Sequence, residues 1–317
     1  MSRTTFEALL DSGVHFGHLK RKWNPNMAPY IFMERNGIHI IDLYKTMAKM
    51  DEAAAALKQI SKSGKRILFV ATKKQAKEIV AEHVKKINMP YVTERWPGGM
   101  LTNFATIRKA VRKMASIDKL MNGPSFSNIS KKERLTVTRE RAKLEKNLGS
   151  IADLNRLPAA VFIVDILKEH IAVAEAKKLN IPTFAIVDTN SDPRQVDFPI
   201  PANDDASKSI SLIVEVMVKA IEEGLVERKL DRDKKAVDDE RTESREDDLE
   251  IKAKTIGFEP DEEEAEEEEE GITVVRKDFV ETKVPKIKGL TEVAEEKPKV
   301  PRKRITKPTG GSRPGKK

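Results

Sequence analysis

Residues 94–104 place a guanidinium, a large aromatic ring and two adjacent glycines just before a predicted helix, in the order Glu-Arg-Trp-Pro-Gly-Gly-Met-Leu-Thr-Asn-Phe. A guanidinium and an indole can bind phosphate and stack on bases. Adjacent glycines let backbone N–H groups approach an anion, and a following helix adds a positive dipole end. No nucleophile, general base or metal-ligand pair accompanies them, so the segment favours nucleic-acid binding over catalysis. The predicted RNA-binding residues are Arg95, Trp96, Gly98, Gly99 and Asn103.

A second basic cluster lies near the amino terminus and again combines cations with an indole. It consists of Lys20, Arg21, Lys22 and Trp23. Two interpretations of Trp23 and Trp96 stay open, because an indole packs in a core as readily as it stacks on a base. RNA contacts are also predicted for Lys73 and Lys74, which open a predicted helix.

Residues 103–148 form a third candidate segment and contain no strand pattern. Two helical stripes are separated by Asn122-Gly123-Pro124 and by a capping box that begins at Ser130, which predicts an antiparallel helical hairpin. The segment has 12 Lys or Arg and 4 Asp or Glu. A solvated helix pair is the alternative, but the surplus favours RNA contact. The predicted contacts are Arg108, Arg112, Lys113, Arg139 and Arg141.

Nucleotide-dependent enzymes of the parallel α/β class carry glycine-rich loops that this sequence lacks. The apolar run 67–71 leads into Thr-Lys-Lys-Gln, no GxxxxGK[ST] occurs, and the Gly98-Gly99 pair lacks the GxGxxG spacing. The absence of cysteine excludes disulfides, thiolate zinc sites and cysteine nucleophiles. We therefore predict no catalytic residue and no enzyme activity.

Carboxylates at predicted strand ends raise the question of a divalent ion, since carboxylate and imidazole are metal ligands. The candidates are Asp165, Asp188, Asp204 and Asp205, with His15 and His18. The alternative is that the aspartates order loops, and Asp204 or Asp205 fits an N-cap for the next helix. The sequence leaves open whether His15, Asp188, Asp204 and Asp205 hold a metal, and no metal or cofactor is predicted.

Predicted strands and helices alternate over residues 1–228, which indicates a parallel sheet with helices on both faces. The predicted strands are 38–42, 67–71, 91–92, 159–164, 183–187 and 198–200. The predicted helices outside the hairpin are 5–12, 43–61, 72–84, 170–179 and 207–224.

The net charge of +8 conceals blocks of opposite sign at the carboxyl end. Residues 238–270 carry 18 acidic and 4 basic side chains, and residues 271–317 carry 5 acidic and 14 basic. Such blocks repel themselves and bury little apolar surface, so residues 229–317 are predicted to be a mostly disordered extension. The amino terminus lacks a signal-peptide pattern and no apolar run reaches membrane-spanning length, so we expect a soluble cytoplasmic protein.

Six motifs in order make the chain resemble the bacterial small-subunit ribosomal protein S-two family, over residues 5 to about 228. They are VHFGH at 14–18, WNP at 23–25, FVATKK at 69–74, RWPGGMLTN at 95–103, IVDTNSDP at 186–193 and IPANDDA at 200–206.

The resemblance implies a flavodoxin-like α/β domain with a protruding helical hairpin. It also implies binding to 16S rRNA in the small (30S) subunit and docking of the large mRNA-binding protein S-one beside other small-subunit proteins. The extension after residue 229 departs from typical members. The rival hypotheses are a free-standing α/β enzyme with a phosphorylated ligand and an RNA-binding regulator outside the ribosome.

Overall fold

The computed structural model describes residues 3–124, 126 and 130–256, with side chains described as far as residue 234. Residues 1–245 form one compact unit, and residues 246–317 form a second, of which 246–256 are described. The chain begins with helix α1 (Phe6–Asp11), whose first turn is capped by the side chain of Thr5.

A three-stranded antiparallel sheet follows α1. It contains β1 (Phe16–Leu19), β2 (Ile31–Arg35) and β3 (Ile38–Ile41), in the order β1-β3-β2. Only β3 was predicted. The missed hairpin had a local signal, because Asn36 and Gly37 between β2 and β3 both have positive φ (53° and 74°), as in the two-residue turns that favour Asn-Gly.

A parallel sheet was predicted, and five of the six predicted strands form one. The sixth, β3, lies in the antiparallel sheet instead. The strands of the parallel sheet are β4 (Ile67–Val70), β5 (Tyr91–Val92), β6 (Ala160–Val164), β7 (Thr183–Val187) and β8 (Phe198–Pro201). Their order, β5-β4-β6-β7-β8, is the flavodoxin-like order, in which the first strand lies between the second and the third.

Helices cover both faces of this sheet, because alternate residues of its buried strands point to opposite sides. Phe69, Phe162 and Phe184 pack in one apolar cluster, with side chains of helices from the first half and the end of the chain. Leu68 and Val161 pack in the other, with side chains of the inserted hairpin. The helices after α1 are α2 (Leu43–Lys62), α3 (Lys74–Lys86), α4 (Phe104–Met121), α5 (Lys131–Leu148), α6 (His170–Lys178) and α7 (Ser207–Ile256).

Helices α4 and α5 form the predicted hairpin between β5 and β6. Helix α4 ends at Met121, and Ser130 caps α5 in a complete capping box with Glu133, as predicted. At the base of the hairpin, Leu148 and Ile151 are buried in the same cluster as Met100 and Leu101. Apolar packing therefore attaches the hairpin to the α/β domain both where the chain enters α4 and where it leaves α5.

Helix α7 is longer than predicted, because it continues past residue 224 to Ile256. Ion pairs join it to α2: Lys58 Nζ lies 2.6 Å from Glu227 Oε1, and Lys62 Nζ lies 3.3 Å from Asp231 Oδ2. The predicted disordered extension thus begins inside a helix, and its remainder, 257–317, lies outside the described residues. None of the described helices is long and apolar enough to cross a membrane.

Candidate nucleic-acid interface

The hairpin carries the predicted basic surface, but three of its five predicted contacts already bind partners within the chain. Arg108 donates to the carbonyl of Leu154 at 3.0 Å. Lys113 pairs with Glu140. Arg141 pairs with Asp118 at 2.5 Å and with Glu145 at 2.6 Å. The ion pairs of Lys113 and Arg141 join α4 to α5 and partly neutralise these two charges, whereas Arg108 keeps its charge and is held by a carbonyl group.

Other basic side chains of the hairpin are exposed and have no ion pair in the described structure. On α4, Lys109, Arg112 and Lys119 share one stripe, since residues three and seven positions apart lie on the same helix face. On α5, Lys132, Arg139 and Lys143 form a second stripe. Arg112 and Arg139 were predicted, and the four lysines were not singled out. The sequence signal for them was the charge surplus of the segment.

The amino-terminal cluster is also exposed. Lys20 pairs with Glu34 at 2.7 Å, whereas Arg21 and Lys22 are exposed without an ion pair among the described residues. The Trp23 ring is 37% exposed and contacts the ring of His39, with 5.2 Å between centroids. Trp23 is therefore packed against His39 but partly exposed, and its stacking on a base stays a prediction.

The turn before the hairpin binds an anion, and that anion is a side chain of the same protein. Both carboxylate oxygens of Glu175, in α6, accept hydrogen bonds from this turn. Oε1 accepts from the N–H of Gly99 at 2.7 Å and from the indole of Trp96 at 3.2 Å. Oε2 accepts from the N–H of Leu101 at 2.9 Å, the N–H of Thr102 at 3.2 Å and the hydroxyl of Thr102 at 3.3 Å.

Glu175 is buried, with 7% exposure, yet its environment favours the charged form. Burial raises the pKa of the carboxyl, but the backbone N–H groups and the indole outweigh burial and lower the pKa below its ordinary value. Uncharged donors thus stabilise a buried negative charge, which is the property expected of an anion-binding turn.

Two residues of this turn that were predicted to contact RNA are engaged within the protein. Trp96 has 7% exposure and packs in the apolar cluster beneath the hairpin, which decides for the core interpretation. The N–H of Gly99 donates to Glu175 and is not available to a phosphate. Arg95, Gly98 and Asn103 are exposed, so their contacts with RNA stay predictions.

Lys73, which was also predicted to contact RNA, lies among acids at the carboxyl edge of the parallel sheet. Its Nζ lies 2.6 Å from Asp205 Oδ1, 2.8 Å from Asp204 Oδ1 and 3.5 Å from Asp165 Oδ2. Burial lowers the pKa of Lys73, but these carboxylates outweigh burial and raise it. Acids that surround an ammonium repel phosphate, so this environment disfavours the predicted contact between Lys73 and RNA. Its neighbour Lys74 is exposed and stays a predicted one.

His18 closes the other side of this acidic cluster. Its Nδ1 lies 2.8 Å from Asp188 Oδ2 and its Nε2 lies 3.4 Å from Asp205 Oδ2. The hydrogen bond to Asp188 outweighs burial and raises the pKa of His18. Burial, together with the charges of Asp188 and Asp165, raises the pKa of Asp204 to about 7. Four carboxylates share one ammonium and one imidazole, so the cluster has a surplus of negative charge.

One ligand atom from each of His18, Asp188 and Asp204 lies within 4.8 Å of the others, a spacing that suits one divalent ion. Of the two candidate histidines, His18 belongs to this group and His15 does not. An ion there would compete with the ammonium of Lys73. The loop before α7 is ordered by Asn203, whose Oδ1 accepts from the N–H of Asp205 at 2.9 Å and from the N–H of Ala206 at 3.2 Å.

Comparison with known proteins shows the family of this chain. A model of the ribosomal protein S2 family matches residues 9–224. The small ribosomal subunit protein uS2 of Phocaeicola vulgatus is 71% identical over 232 residues, which cover 73% of this chain and 83% of that protein. Its counterpart in Bacteroides thetaiotaomicron is 69% identical over 232 residues, 73% of this chain and 84% of the relative. That of Christiangramia forsetii is 69% identical over 228 residues, 72% and 76%.

The chain belongs to the ribosomal protein S2 family. This is a family of ribosomal structural proteins and not of enzymes. The match ends at residue 224, so the acidic and basic blocks lie beyond the part that defines the family.

Sequence reasoning missed Glu175, although a signal for it exists. In the α6 sequence His-Ile-Ala-Val-Ala-Glu-Ala, one carboxylate stands among small and apolar residues. An acid on the apolar side of a helix needs a buried partner, and in this S2-family chain that partner is the glycine turn.

Proposed function

We propose that this chain is a structural constituent of the small ribosomal subunit that binds 16S rRNA and supports subunit assembly and translation in the bacterial cytoplasm. Membership of the ribosomal protein S2 family supports the ribosomal role. The main support for RNA binding is the basic surface of the hairpin, whose side chains are exposed and have no ion pair among the described residues. We define this hairpin basic face as Lys109, Arg112, Lys119, Lys132, Arg139 and Lys143.

The hairpin basic face suits a phosphate backbone better than a small ligand. Its charges lie along two helices rather than around a pocket, and phosphate contacts supply most of the affinity in such complexes. Arg21, Lys22, Lys74 and Arg95 are exposed and extend the set of proposed contacts. Trp23, which is partly exposed, is the proposed stacking residue.

Sedimentation with small subunits tests this role against a regulator that acts outside the ribosome. The purified chain is mixed with small subunits depleted of their own S2-family protein, in high magnesium and moderate salt. The proposal expects the chain to sediment with the subunits in a one-to-one ratio, and to be displaced by the S2-family protein of a related bacterium. A chain that remains in the supernatant would contradict it.

We further propose that the amino-terminal sheet docks the large mRNA-binding protein S-one. An apolar surface supports this, since contiguous exposed apolar side chains on a folded domain indicate a protein partner. Phe32 is 71% exposed and Tyr44 is 72% exposed. Phe6 stacks on Tyr44 with 5.1 Å between ring centroids, and a groove of about 210 Å³ runs beside them. Leu10 and Met33 also line this groove.

Substitution of the exposed rings separates this docking from RNA binding. The double variant Phe32→Ser and Tyr44→Ser removes apolar area that a partner would bury, so retention of S-one on subunits that contain it should fall about tenfold or more. The control is Leu157→Ser, which changes an exposed apolar residue elsewhere (46% exposed). Equal retention by the two variants would contradict docking on this surface.

A further inference from the structure

The anion-binding turn, residues 96–102, lies between the α/β domain and the helical hairpin. Thr102, its last residue, stands two positions before the start of α4, the first helix of the hairpin. Glu175 belongs to α6, which packs on the parallel sheet. Five hydrogen bonds between the turn and one carboxylate thus join the base of the hairpin to the α/β domain.

The same hydrogen bonds use up the turn as a site for any other anion. N–H groups of the kind that cradle phosphates in other proteins converge here on an internal carboxylate. Both of its oxygens are engaged, and the residue is buried. An RNA phosphate would have to displace this carboxylate and then lie beside its negative charge.

We propose that Glu175 is a positioning residue for RNA binding: its carboxylate holds the base of the hairpin on α6 and keeps RNA phosphates out of the turn. This inference rests on the proposed binding of rRNA by the hairpin basic face. It assigns the two halves of the 94–104 segment different tasks, with Arg95 outside for RNA and the amides inside for Glu175.

We call the contact between Glu175 and the turn the clamp. It affects RNA affinity because it fixes the orientation of α4. The proposed phosphate contacts of the hairpin can form together with those of the α/β domain only when the two hairpin helices keep one orientation relative to that domain. A hairpin that pivots at its base must be ordered when it binds, and the lost freedom weakens the complex. Met100 and Leu101 are buried under the turn, so apolar packing keeps the hairpin attached even when the clamp is removed.

The experiment removes the carboxylate and then supplies it from solution. In Glu175→Ala, hydrogen exchange of the amides of Gly99, Leu101 and Thr102 should be about tenfold faster or more, because each has lost a charge-assisted acceptor. Added acetate or formate should fill the space and restore slow exchange in the variant, with no effect on the wild-type protein. A loss of apolar packing alone would not respond to acetate.

Binding to 16S rRNA is measured on the same variants. Glu175→Ala and the near-isosteric Glu175→Gln should both bind about tenfold more weakly than the wild-type protein. Acetate should restore part of the affinity of Glu175→Ala. The control is Glu78→Gln, an exposed glutamate on α3 without an ion pair among the described residues, which also removes one negative charge. Its affinity should equal that of the wild-type protein or slightly exceed it.

The outcomes separate this inference from the proposed function. If wild-type protein does not bind 16S rRNA, the proposed function fails, and with it the positioning role. If wild-type protein binds, then unchanged amide exchange in both Glu175 variants overturns the clamp. Faster exchange with wild-type affinity overturns positioning. Stronger RNA binding by Glu175→Ala, with RNA in place of acetate protecting the turn, would show that the turn is a phosphate site that Glu175 merely blocks.

Discussion

Gly99 is the residue whose backbone conformation decides the shape of the anion-binding turn. Its φ is +82°, a conformation that residues with a Cβ rarely adopt, and a Cβ there would lie 3.2 Å from the Cβ of Asn103. Gly98 differs, because its φ is outside this region and a Cβ would meet nothing within 4 Å. The two adjacent glycines therefore have unequal roles.

We expect Gly99→Ala to lower the free energy of unfolding by about 1–2 kcal/mol, the strain of a left-handed conformation in a residue with a Cβ. Gly98→Ala, the matched control, should change it by less than about 0.5 kcal/mol. Urea denaturation of the two variants and the wild-type protein measures both values. Equal stability of the two variants would show that the conformation of Gly99 is not required.

The sequence predicted this turn and its chemistry but not its ligand. Consecutive glycines before a helix indicate convergent N–H groups, and such groups do converge on an anion. The identity of the anion depends on which helix packs opposite the turn, and Glu175 is 76 residues away along the chain from Gly99. The burial of Trp96 could not be predicted for the same reason, since only tertiary packing distinguishes an indole in the core from one that is free to stack on a base.

At the scale of elements, the crossing of α2 and α7 explains how the last helix is held. Gly224 lies against α2, and a Cβ on it would overlap Ser61 Oγ and the carbonyl oxygen of Lys58. The absent side chain therefore lets the two backbones approach closely. Ion pairs of Lys58 and Lys62 with acids of α7 flank this contact.

We expect Gly224→Ala to lower the free energy of unfolding by about 1–3 kcal/mol, because the helices must separate to admit a methyl group. The control is Gly149→Ala, at the end of α5, where a Cβ would make an ordinary 3.5 Å contact with Glu145. That control should leave the stability unchanged or raise it by up to about 1 kcal/mol. Thermal unfolding followed by circular dichroism compares them. Equal melting temperatures would contradict the close crossing.

The sequence predicted the elements where a strong local pattern exists. Apolar runs identified β4, β6 and β7, and the capping box at Ser130 located the start of α5. Strands β1 and β2 were missed because most of their residues are exposed, so they carry no buried pattern. The predicted end of α7 at residue 224 was wrong, because the helix continues to Ile256 and Gly224 lies inside it, at the contact with α2.

At the scale of the whole molecule, charge is arranged in opposed regions. The hairpin basic face and the block 271–317 are positive, whereas the block 238–270 and the cluster around Asp204 are negative. We hypothesise that the acidic block competes with non-specific RNA for the basic surfaces and yields to rRNA sites that offer more contacts at once. A passive acidic spacer is the simpler alternative.

Deletion of residues 238–270 should raise binding to unrelated RNA at low salt, and the difference should fade as salt screens the charges. Filter binding of the deletion variant and the full chain across a salt series measures this. The control is a chain in which the 18 acids of the block are kept but their order is shuffled, since screening depends on charge and not on sequence. Equal binding by the deletion variant and the full chain at every salt concentration would indicate a spacer.

The salt dependence of 16S rRNA binding shows whether the hairpin basic face contacts RNA phosphates. The test variant replaces four residues of the hairpin basic face with alanine: Lys109, Arg112, Arg139 and Lys143. The control variant replaces four exposed lysines of α3 and α7: Lys85, Lys86, Lys208 and Lys219. If the hairpin binds phosphates, the slope of log affinity against log salt should flatten by about 3 in the test variant, at 0.7 to 0.9 per lost contact, and by much less in the control. The wild-type slope in the test variant would contradict the account and remove the hairpin from the RNA interface.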